Sequence, residues 1–286
     1  MAAPTFDLQS HSVHSDGALV PARVVAAAAG AGVELLALSD HDTVDGVPEA
    51  QAAARDHGIR LVPAVELSSL DPLGEDLHIL GYGIDPGDAG LAERLEAYRA
   101  DRRARIGRMA DAMEELGWAL DRTDFADLES PGRPHLAAAA FGHPANAERV
   151  ADEGLTDSSA LLVAYLIPSR PAYRTRTIPT VADAIAAIHD AGGVAVWAHP
   201  FWDVDAEREV QDAVRRFAAC GMDGVEAFYI EHGERQTALL CDLADELGLL
   251  TTGSADFHGP EHPHFWRFRA FDLFGREPRL GPIADG

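Results

Sequence analysis

Short apolar runs alternate with helix-like segments at both ends of the chain, and this alternation limits the possible folds more than any other feature. Runs such as VELLALS (33–39) and VAVWA (194–198) are apolar throughout, as in strands that are buried on both faces. The segment PARVVAAAAGAG (21–32) opens with Pro and closes with Gly, which is typical of a helix. Alternating strands and helices predict a parallel sheet, either open or closed into a barrel. The other predicted strands are 5–8, 59–67, 75–84, 223–229 and 249–255, and the other helices are 46–58, 180–193, 206–220 and 233–248.

The middle of the chain has a different pattern. A long amphipathic helix is predicted at 90–117, with Arg102 on its otherwise apolar stripe. Shorter helical patterns follow, including 134–141 and 156–166. We therefore expect an all-helical insertion, residues 88–170, in an α/β domain formed by residues 5–87 and 171–275.

Potential metal ligands follow the predicted strands at the point where each strand ends. Because the carboxyl ends of the strands in a parallel barrel meet on one face, side chains from separate strands should converge there. His78 is the exception, since it lies inside or near the start of its own strand. The residues that we expect to converge are His11, Asp16, His41, Glu66, His78, His199, Asp256 and His258.

This mixture of imidazole and carboxylate groups suits Zn, Mn, Fe or Co better than Mg or Ca, which prefer oxygen ligands. Eight ligands are more than one ion needs, so the set implies two or three ions, and Glu66 could bridge two of them. Taken singly, each of these residues could instead be a hydrogen-bonded histidine or a helix cap. Asp40, which also follows a predicted strand, could likewise be a cap or a turn residue. Clustered ions activate water and hold the oxygens of an in-line displacement at phosphorus, which favours phosphoester hydrolysis. Amide hydrolysis or deamination is the alternative.

The composition of the chain limits which molecules it could bind and which cellular compartment it could occupy. The formal net charge is −24 and the chain has no Lys, so it lacks the basic surface that binds duplex nucleic acid. Two cysteines, Cys220 and Cys241, do not form a disulfide framework, and no apolar run has the length of a membrane span. The first residues also lack a signal-peptide pattern. We expect a cytoplasmic protein with no membrane association, and nothing in the sequence implies a partner protein.

Several ordered motifs resemble those of one known family. The family is the PHP (polymerase and histidinol phosphatase) family of metal-dependent phosphoesterases, and the motifs span residues 7–260 in the family's order. The helical insertion and the segment 177–200 resemble the subfamily of 3′,5′-nucleotide bisphosphate phosphatases and 5′-3′ exoribonucleases. The resemblance implies a distorted (β/α)7 TIM-like barrel, with the insertion as a cap over its mouth, and up to three metals. The motifs are DLQSHSVHSDG, SDHDT, VPAVELS, DLHILGY, AHP and SADFHGP.

The resemblance also assigns ligands to each metal. It implies a first site of Gln9, His11, Glu66 and Asp256, a second of Glu66, His78 and His199, and a third of Asp16, His41 and His258. It further implies two or three divalent ions, with Mn as the expected metal and Zn, Fe or Mg as alternatives. The expected catalytic residues are Glu66, Asp256 and His258.

Gln9 departs from the family pattern, which has histidine at this position. An amide oxygen is a weaker and harder ligand than imidazole, so the first site should bind less tightly and prefer Mn or Mg over Zn. His14 is expected in the loop near the substrate rather than as a replacement ligand.

The expected substrate-binding residues are arginines and one histidine of the insertion and of the segment that follows it. Arg133 and His135 lie at a predicted helix N-terminus, where phosphate binds readily. Arg102 could contact phosphate or form a buried ion pair, and Arg170 and Arg174 return from the insertion.

The expected reaction is hydrolysis of a phosphomonoester of a small phosphorylated nucleotide, such as a 3′,5′-bisphosphate, by metal-activated water. One alternative is 5′-3′ trimming of short RNA. The other is a non-catalytic metal-binding regulatory module, which only the substitution at Gln9 supports.

Overall fold

A computed structural model of the chain describes residues 4–126, 128 and 130–285. The chain divides into two compact units, of which one comprises Met1–Leu95 and Pro179–Gly286 and the other comprises Glu96–Ile178. Among the described residues, none of the helices combines the length and the hydropathy that a membrane span requires.

The first unit contains a seven-stranded sheet whose strands lie side by side in chain order. The last strand returns to the first, where the backbone N–H of Leu8 donates to the carbonyl oxygen of Gly253 at 3.2 Å. The sheet is therefore a nearly closed barrel, which confirms the distorted TIM-like architecture. The strands are β1 (Phe6–Asp7), β2 (Leu35–Leu38), β3 (Arg60–Asp71), β4 (Gly74–Tyr82), β5 (Val194–Trp197), β6 (Gly224–Tyr229) and β7 (Leu250–Ser254).

One strand contradicts the prediction of a wholly parallel sheet. β4 runs antiparallel to both β3 and β5, while the other neighbouring pairs are parallel. Only the two residues 72–73 separate β3 from β4, and a parallel crossover needs a dozen or more. Because of this hairpin, β3 continues past Glu66 to Asp71, so Glu66 does not end its strand. His78, in the middle of β4, lies opposite Ser68, and the next residue, Ile79, pairs with Trp197 at the end of β5.

Helices join the strands and bury their apolar faces on the sheet. Val24, Val25 and Ala28 of the first helix, for example, are fully buried in one cluster with Leu36 and Leu38 of β2. The helices are α1 (Pro21–Gly30), α2 (Val47–His57), α3 (Ala89–Glu115), α4 (Thr123–Ala126), α5 (Arg133–Gly142), α6 (Ala147–Asp152), α7 (Ser158–Tyr165), α8 (Val181–Asp190), α9 (Pro200–Asp203), α10 (Glu207–Ala219) and α11 (Glu234–Leu247). Short 3-10 helices lie at Pro144–Asn146 and Gly281–Asp285.

The second unit is built from helices and has its own core. Ile106, Met109 and Met113, at helical spacing on α3, are buried in one cluster with Trp118 and Leu136. This spacing is the stripe that the sequence predicts.

Gly253 is required where β7 passes close to Phe228 of β6. A Cβ atom at this position would lie 2.6 Å from both the Cβ and the carbonyl oxygen of Phe228. We expect Gly253→Ala to lower the free energy of unfolding by about 1–3 kcal/mol, because the strands must move apart. In the control Gly30→Ala, the added Cβ would meet no atom within 4 Å, and stability should stay constant or rise by up to about 1 kcal/mol. Thermal unfolding of both variants provides the measurement, and equal melting temperatures would contradict the close approach.

Candidate metal centre

The loop after β1 brings two of the predicted ligands, His11 and Asp16, to the carboxyl edge of the barrel. The N–H of His11 donates to the carbonyl oxygen of Phe257 at 2.9 Å, which fixes the loop beside the segment after β7. The loop then turns back on itself so tightly that a Cβ on Gly17 would lie 2.2 Å from the carbonyl oxygen of His11. Only glycine allows this approach, and the turn lets one strand end supply both side chains.

Asp40 braces this loop from the end of β2. Its carboxylate accepts hydrogen bonds from the N–H and hydroxyl of Ser12, each at 2.7 Å, and from the hydroxyl of Ser15 at 2.6 Å. A cap or a turn is the ordinary role of an aspartate at such a position. Here the buried carboxylate instead fixes the backbone between His11 and Asp16.

The predicted histidines and carboxylates converge into overlapping groups. Within each group, ligand atoms lie within 4.8 Å of one another. Glu66 is fully buried at the centre, with Nε2 of His11 3.0 Å from its Oε2 and Nδ1 of His78 2.8 Å from its Oε1. Nε2 of His11 also lies 3.1 Å from Oδ1 of Asp256. The groups are His11, Glu66 and Asp256; His41, Glu66 and His78; and His11, Asp16, His41 and His258.

His199 lies beside the same carboxylate. Its Nε2 is 3.3 Å from Oε1 of Glu66 and 3.3 Å from Nδ1 of His78. The residue has a positive φ of 32° just after β5, and its backbone N–H donates to Oε2 of Glu226 at 2.9 Å. The structure therefore brings all eight predicted histidines and carboxylates together.

Asp16 lies between two histidines. Its Oδ2 is 3.7 Å from Nε2 of His41, and its Oδ1 is 3.4 Å from Nε2 of His258. The His258 ring stacks on that of His11, with the centroids 4.3 Å apart. His258 also places its Nδ1 2.7 Å from the carbonyl oxygen of Asp256, so this nitrogen carries the proton and Nε2 is left as the ligand atom.

The charges of the site favour cation binding. Burial would raise the pKa of Glu66, but His41 and His78 hold it well below its ordinary value. Burial would likewise raise the pKa of Asp16, which His41 and His258 keep well below its usual range. Burial lowers the pKa of His41 to about 3, against the opposing effect of the carboxylates of Glu66 and Asp16. Ionised carboxylates and neutral imidazole are the forms that coordinate metals.

The residues also fit a metal by a second criterion. Burial of a polar atom without a partner is costly, and a cation at these positions would offset that cost. Several buried atoms of the cluster have no hydrogen-bond partner. They are Nε2 of His11, Oδ1 of Asp16, Nδ1 of His41, Oε2 of Glu66 and Oδ1 of Asp256.

Gln9 is fully buried at the end of β1. Its Oε1 lies 3.3 Å from the hydroxyl of Ser254, which also donates to Oε1 of Glu226 at 2.6 Å. Its Nε2 is buried and has no hydrogen-bond partner. Ser254 thus holds the amide oxygen of Gln9, while the amide nitrogen is not held.

Two residues at the site, Glu226 and Tyr229, were not predicted from the sequence. Glu226 on β6 holds the backbone of His199, and burial raises its pKa to about 8. Tyr229 donates its hydroxyl hydrogen to Oδ2 of Asp256 at 3.0 Å. A glutamate inside the apolar run GVEAFY was the available signal for Glu226, while Tyr229 could not be distinguished from a core aromatic residue.

The predicted substrate-binding residues lie in the helical unit. Arg102 is buried, and a Cβ on Gly132 would lie 3.5 Å from its Nη1, so its guanidinium is beside the first turn of α5. Arg133 is the first residue of α5, and Nδ1 of His135 accepts from the N–H of Gly132 at 3.0 Å.

The two remaining arginines are placed differently. Arg170 is exposed. Nη1 of Arg174 donates to the carbonyl oxygens of Pro171 and Tyr173, at 3.1 and 2.8 Å.

Comparison with known proteins finds relatives of nearly full length. The family model of the PHP domain matches residues 7–125. A 3′,5′-nucleoside bisphosphate phosphatase of Chromobacterium violaceum is 33% identical over 261 residues, 89% of this chain and 87% of the relative. A 5′-3′ exoribonuclease of Haemophilus influenzae is 31% identical over 258 residues, 89% of this chain and 90% of the relative.

A solved structure shares the architecture over the whole chain. It is an amidohydrolase from Chromobacterium violaceum with bound sulfate and no metal, 30% identical, with a TM-score of 0.84. The match covers 99% of this chain and 96% of that one.

Gln9 and His199 should differ strongly in their importance for metal binding. We expect Gln9→His to raise the metal content per chain, because imidazole donates more strongly than an amide. His199→Ala and His41→Ala should lose more affinity than the roughly 10–100-fold that removal of an outer hydrogen-bond partner costs, and Gln9→Ala should lose less. The measurement is bound Mn per chain after dialysis, together with kcat, with His57→Ala at the end of α2 as the control. If Gln9→Ala binds as little metal as His199→Ala, Gln9 is an essential ligand.

Proposed function

Because this chain belongs to the PHP family of metal-dependent phosphoesterases, we propose that it hydrolyses a phosphomonoester of a small phosphorylated nucleotide, such as a 3′,5′-bisphosphate. Its class, a hydrolase of phosphoric esters, follows from the relatives. The observation that carries the proposal is the set of overlapping, buried or half-buried ligand groups that share Glu66, His11 and His41.

The chain's own residues have distinct roles in this reaction. A divalent ion, when bound, polarises the phosphoryl oxygens and lowers the pKa of water. We propose Glu66, Asp256 and His258 as the catalytic residues, with Glu66 kept ionised by the histidines around it. The hydroxyl of Tyr229 fixes one oxygen of Asp256 and leaves the other towards His11. The carbonyl oxygen of Asp256 fixes the tautomer of His258.

The substrate class is supported by the relatives and by the charge. The relative with 33% identity is named for a nucleoside bisphosphate. A net charge of −24 opposes long polyanions, which suits a mononucleotide or a short oligomer. We propose that Arg133, the first residue of α5, and Arg102 of α3, whose guanidinium lies beside Gly132, bind a phosphate group of the substrate, because the guanidinium fork matches phosphate oxygens. His135, Arg170 and Arg174 stay predictions as further contacts.

The second candidate is 5′-3′ exonucleolytic trimming of short RNA, which the relative with 31% identity favours. The two activities differ in product, since a phosphatase releases inorganic phosphate and an exonuclease releases mononucleotides. Incubation with adenosine 3′,5′-bisphosphate and with a 5′-phosphorylated tetraribonucleotide separates them. If the chain hydrolyses only the tetranucleotide, the bisphosphatase proposal is wrong.

Removal of metal should abolish the activity. We expect exhaustive chelation to eliminate phosphate release from the bisphosphate and added Mn to restore it, because the buried carboxylates would otherwise lack their cation. Chelation should also lower the melting temperature of the barrel unit, which is a measurement independent of turnover. Full activity in metal-free protein would contradict the proposal.

Arg133→Ala should weaken substrate binding without unfolding the helical unit. Loss of one charge-assisted hydrogen bond of about 1.5–3 kcal/mol should reduce kcat/KM by roughly 10- to 150-fold. Arg215→Ala, which removes an exposed ion pair with Glu246, is the control and should leave kcat/KM unchanged. Unaltered kinetics in Arg133→Ala would exclude Arg133 from the site.

A further inference from the structure

Two aromatic side chains lie beside the metal-ligand cluster, and the chemistry at phosphorus does not use them. Trp202 on the short helix α9 is 49% exposed, and its ring meets that of Phe265 edge to face with the centroids 5.4 Å apart. We call Trp202 and Phe265 the aromatic ledge. A single exposed tryptophan is common and does not by itself indicate a binding site. The contacts of Trp202 and Phe265 with the metal-ligand cluster are the relevant observation.

The ledge connects to the cluster by two separate routes. The ring of Phe265 is 5.4 Å from that of His258, a proposed ligand. The ring of Trp202 is 6.4 Å from that of Tyr229, whose hydroxyl donates to Asp256. The ring of Phe265 therefore connects the exposed indole of Trp202 to the ring of His258, with centroid distances of 5.4 Å on both sides.

The backbone fixes both members of the ledge to proposed ligands. The N–H of Trp202 donates to the carbonyl oxygen of His199 at 2.8 Å, and the N–H of His258 donates to the carbonyl oxygen of Phe265 at 2.9 Å. Nδ1 of His262 accepts from the N–H of Phe265 at 2.9 Å, and its ring stacks on Phe265 with the centroids 5.0 Å apart. The ledge is thus held at a set distance from the cluster.

We propose that the aromatic ledge is the binding subsite for the nucleobase of the substrate, with the base stacked on the exposed indole of Trp202. This inference rests on the proposed function, since it assumes a nucleotide whose phosphate is held by the cluster. Stacking on an aromatic ring accepts every base, because each base has a π face. The subsite would therefore select nucleotides over phosphorylated sugars without selecting among bases.

The test compares substrates with and without a base. We expect Trp202→Ala to raise KM for adenosine 3′,5′-bisphosphate by roughly 5- to 100-fold, the effect of one lost base stack, with little change in kcat. The same variant should leave kcat/KM for ribose 5-phosphate, which has no aromatic ring, nearly unchanged. Trp202→Phe should restore most of the affinity, because it keeps an aromatic face. Adenosine and uridine bisphosphates should respond alike, and so should the terminal base of a short RNA if that is the substrate.

Trp266 offers a matched control, since it is 48% exposed and its recorded ring contact is with Arg267 rather than with the ledge. Trp266→Ala should leave both substrates unaffected. A second measurement does not need turnover: adenosine 3′-monophosphate should quench the fluorescence of the Trp266→Phe protein and not that of a variant that also carries Trp202→Phe.

The outcomes distinguish the ledge from the function on which it rests. If the wild-type protein hydrolyses the nucleotide and Trp202→Ala leaves its KM unchanged, or impairs all substrates equally, the ledge proposal is wrong and the proposed function stands. If the wild-type protein hydrolyses p-nitrophenyl phosphate but no nucleotide, both proposals are overturned.

Discussion

The complete burial of the Glu66 carboxylate is the constraint on which the rest of the site depends. An ionised carboxylate without access to water is strongly destabilising unless opposite charge or donors surround it. His11, His78 and His199 each bring a ring nitrogen within 3.3 Å of this carboxylate, and they come from three different parts of the chain. A cation held by the same groups would offset the cost further. Closure of the barrel, the αL conformation of His199 and the tight loop at Gly17 all serve to bring these nitrogens to one carboxylate.

The location of the site could be predicted from the sequence, because strand ends in a parallel barrel converge whatever the details of packing. His11, His41, His199 and Asp256 follow apolar runs that need no tertiary information to recognise. The pairing of ligands depends on distances across the barrel that no local pattern encodes, so the pairing implied by the family resemblance stays a prediction. In the structure it is His41, and not His199, that is grouped with Glu66 and His78.

The antiparallel hairpin is the main feature of the fold that the sequence analysis did not predict. Alternation of strands and helices predicts parallel neighbours, and the 75–84 run looks like any other buried strand. The short connection decides the direction, and the predicted strands 59–67 and 75–84 already leave only seven residues between them, fewer than a parallel crossover needs. The reversal explains why His78 lies within its strand, whereas His11, His41, His199 and Asp256 follow theirs. Glu226 and Tyr229 were missed for a related reason, since their roles are hydrogen bonds to ligands and not positions at strand ends.

A chain of hydrogen bonds connects the Gln9 amide to the backbone of the proposed ligand His199. Ser254 lies between the Gln9 amide and Glu226, and Glu226 in turn holds the backbone of His199. Burial raises the pKa of Glu226 to about 8, so this carboxyl adds little negative charge near the cluster at neutral pH. Gln9 and Glu226 are therefore neutral and linked through one hydroxyl group, and the fixed charge of the site remains on Asp16, Glu66 and Asp256. An amide at position 9 changes the donor strength of one ligand position without changing that charge. Because that charge is retained, we expect the rest of the cluster to bind cations even if this one position is weaker.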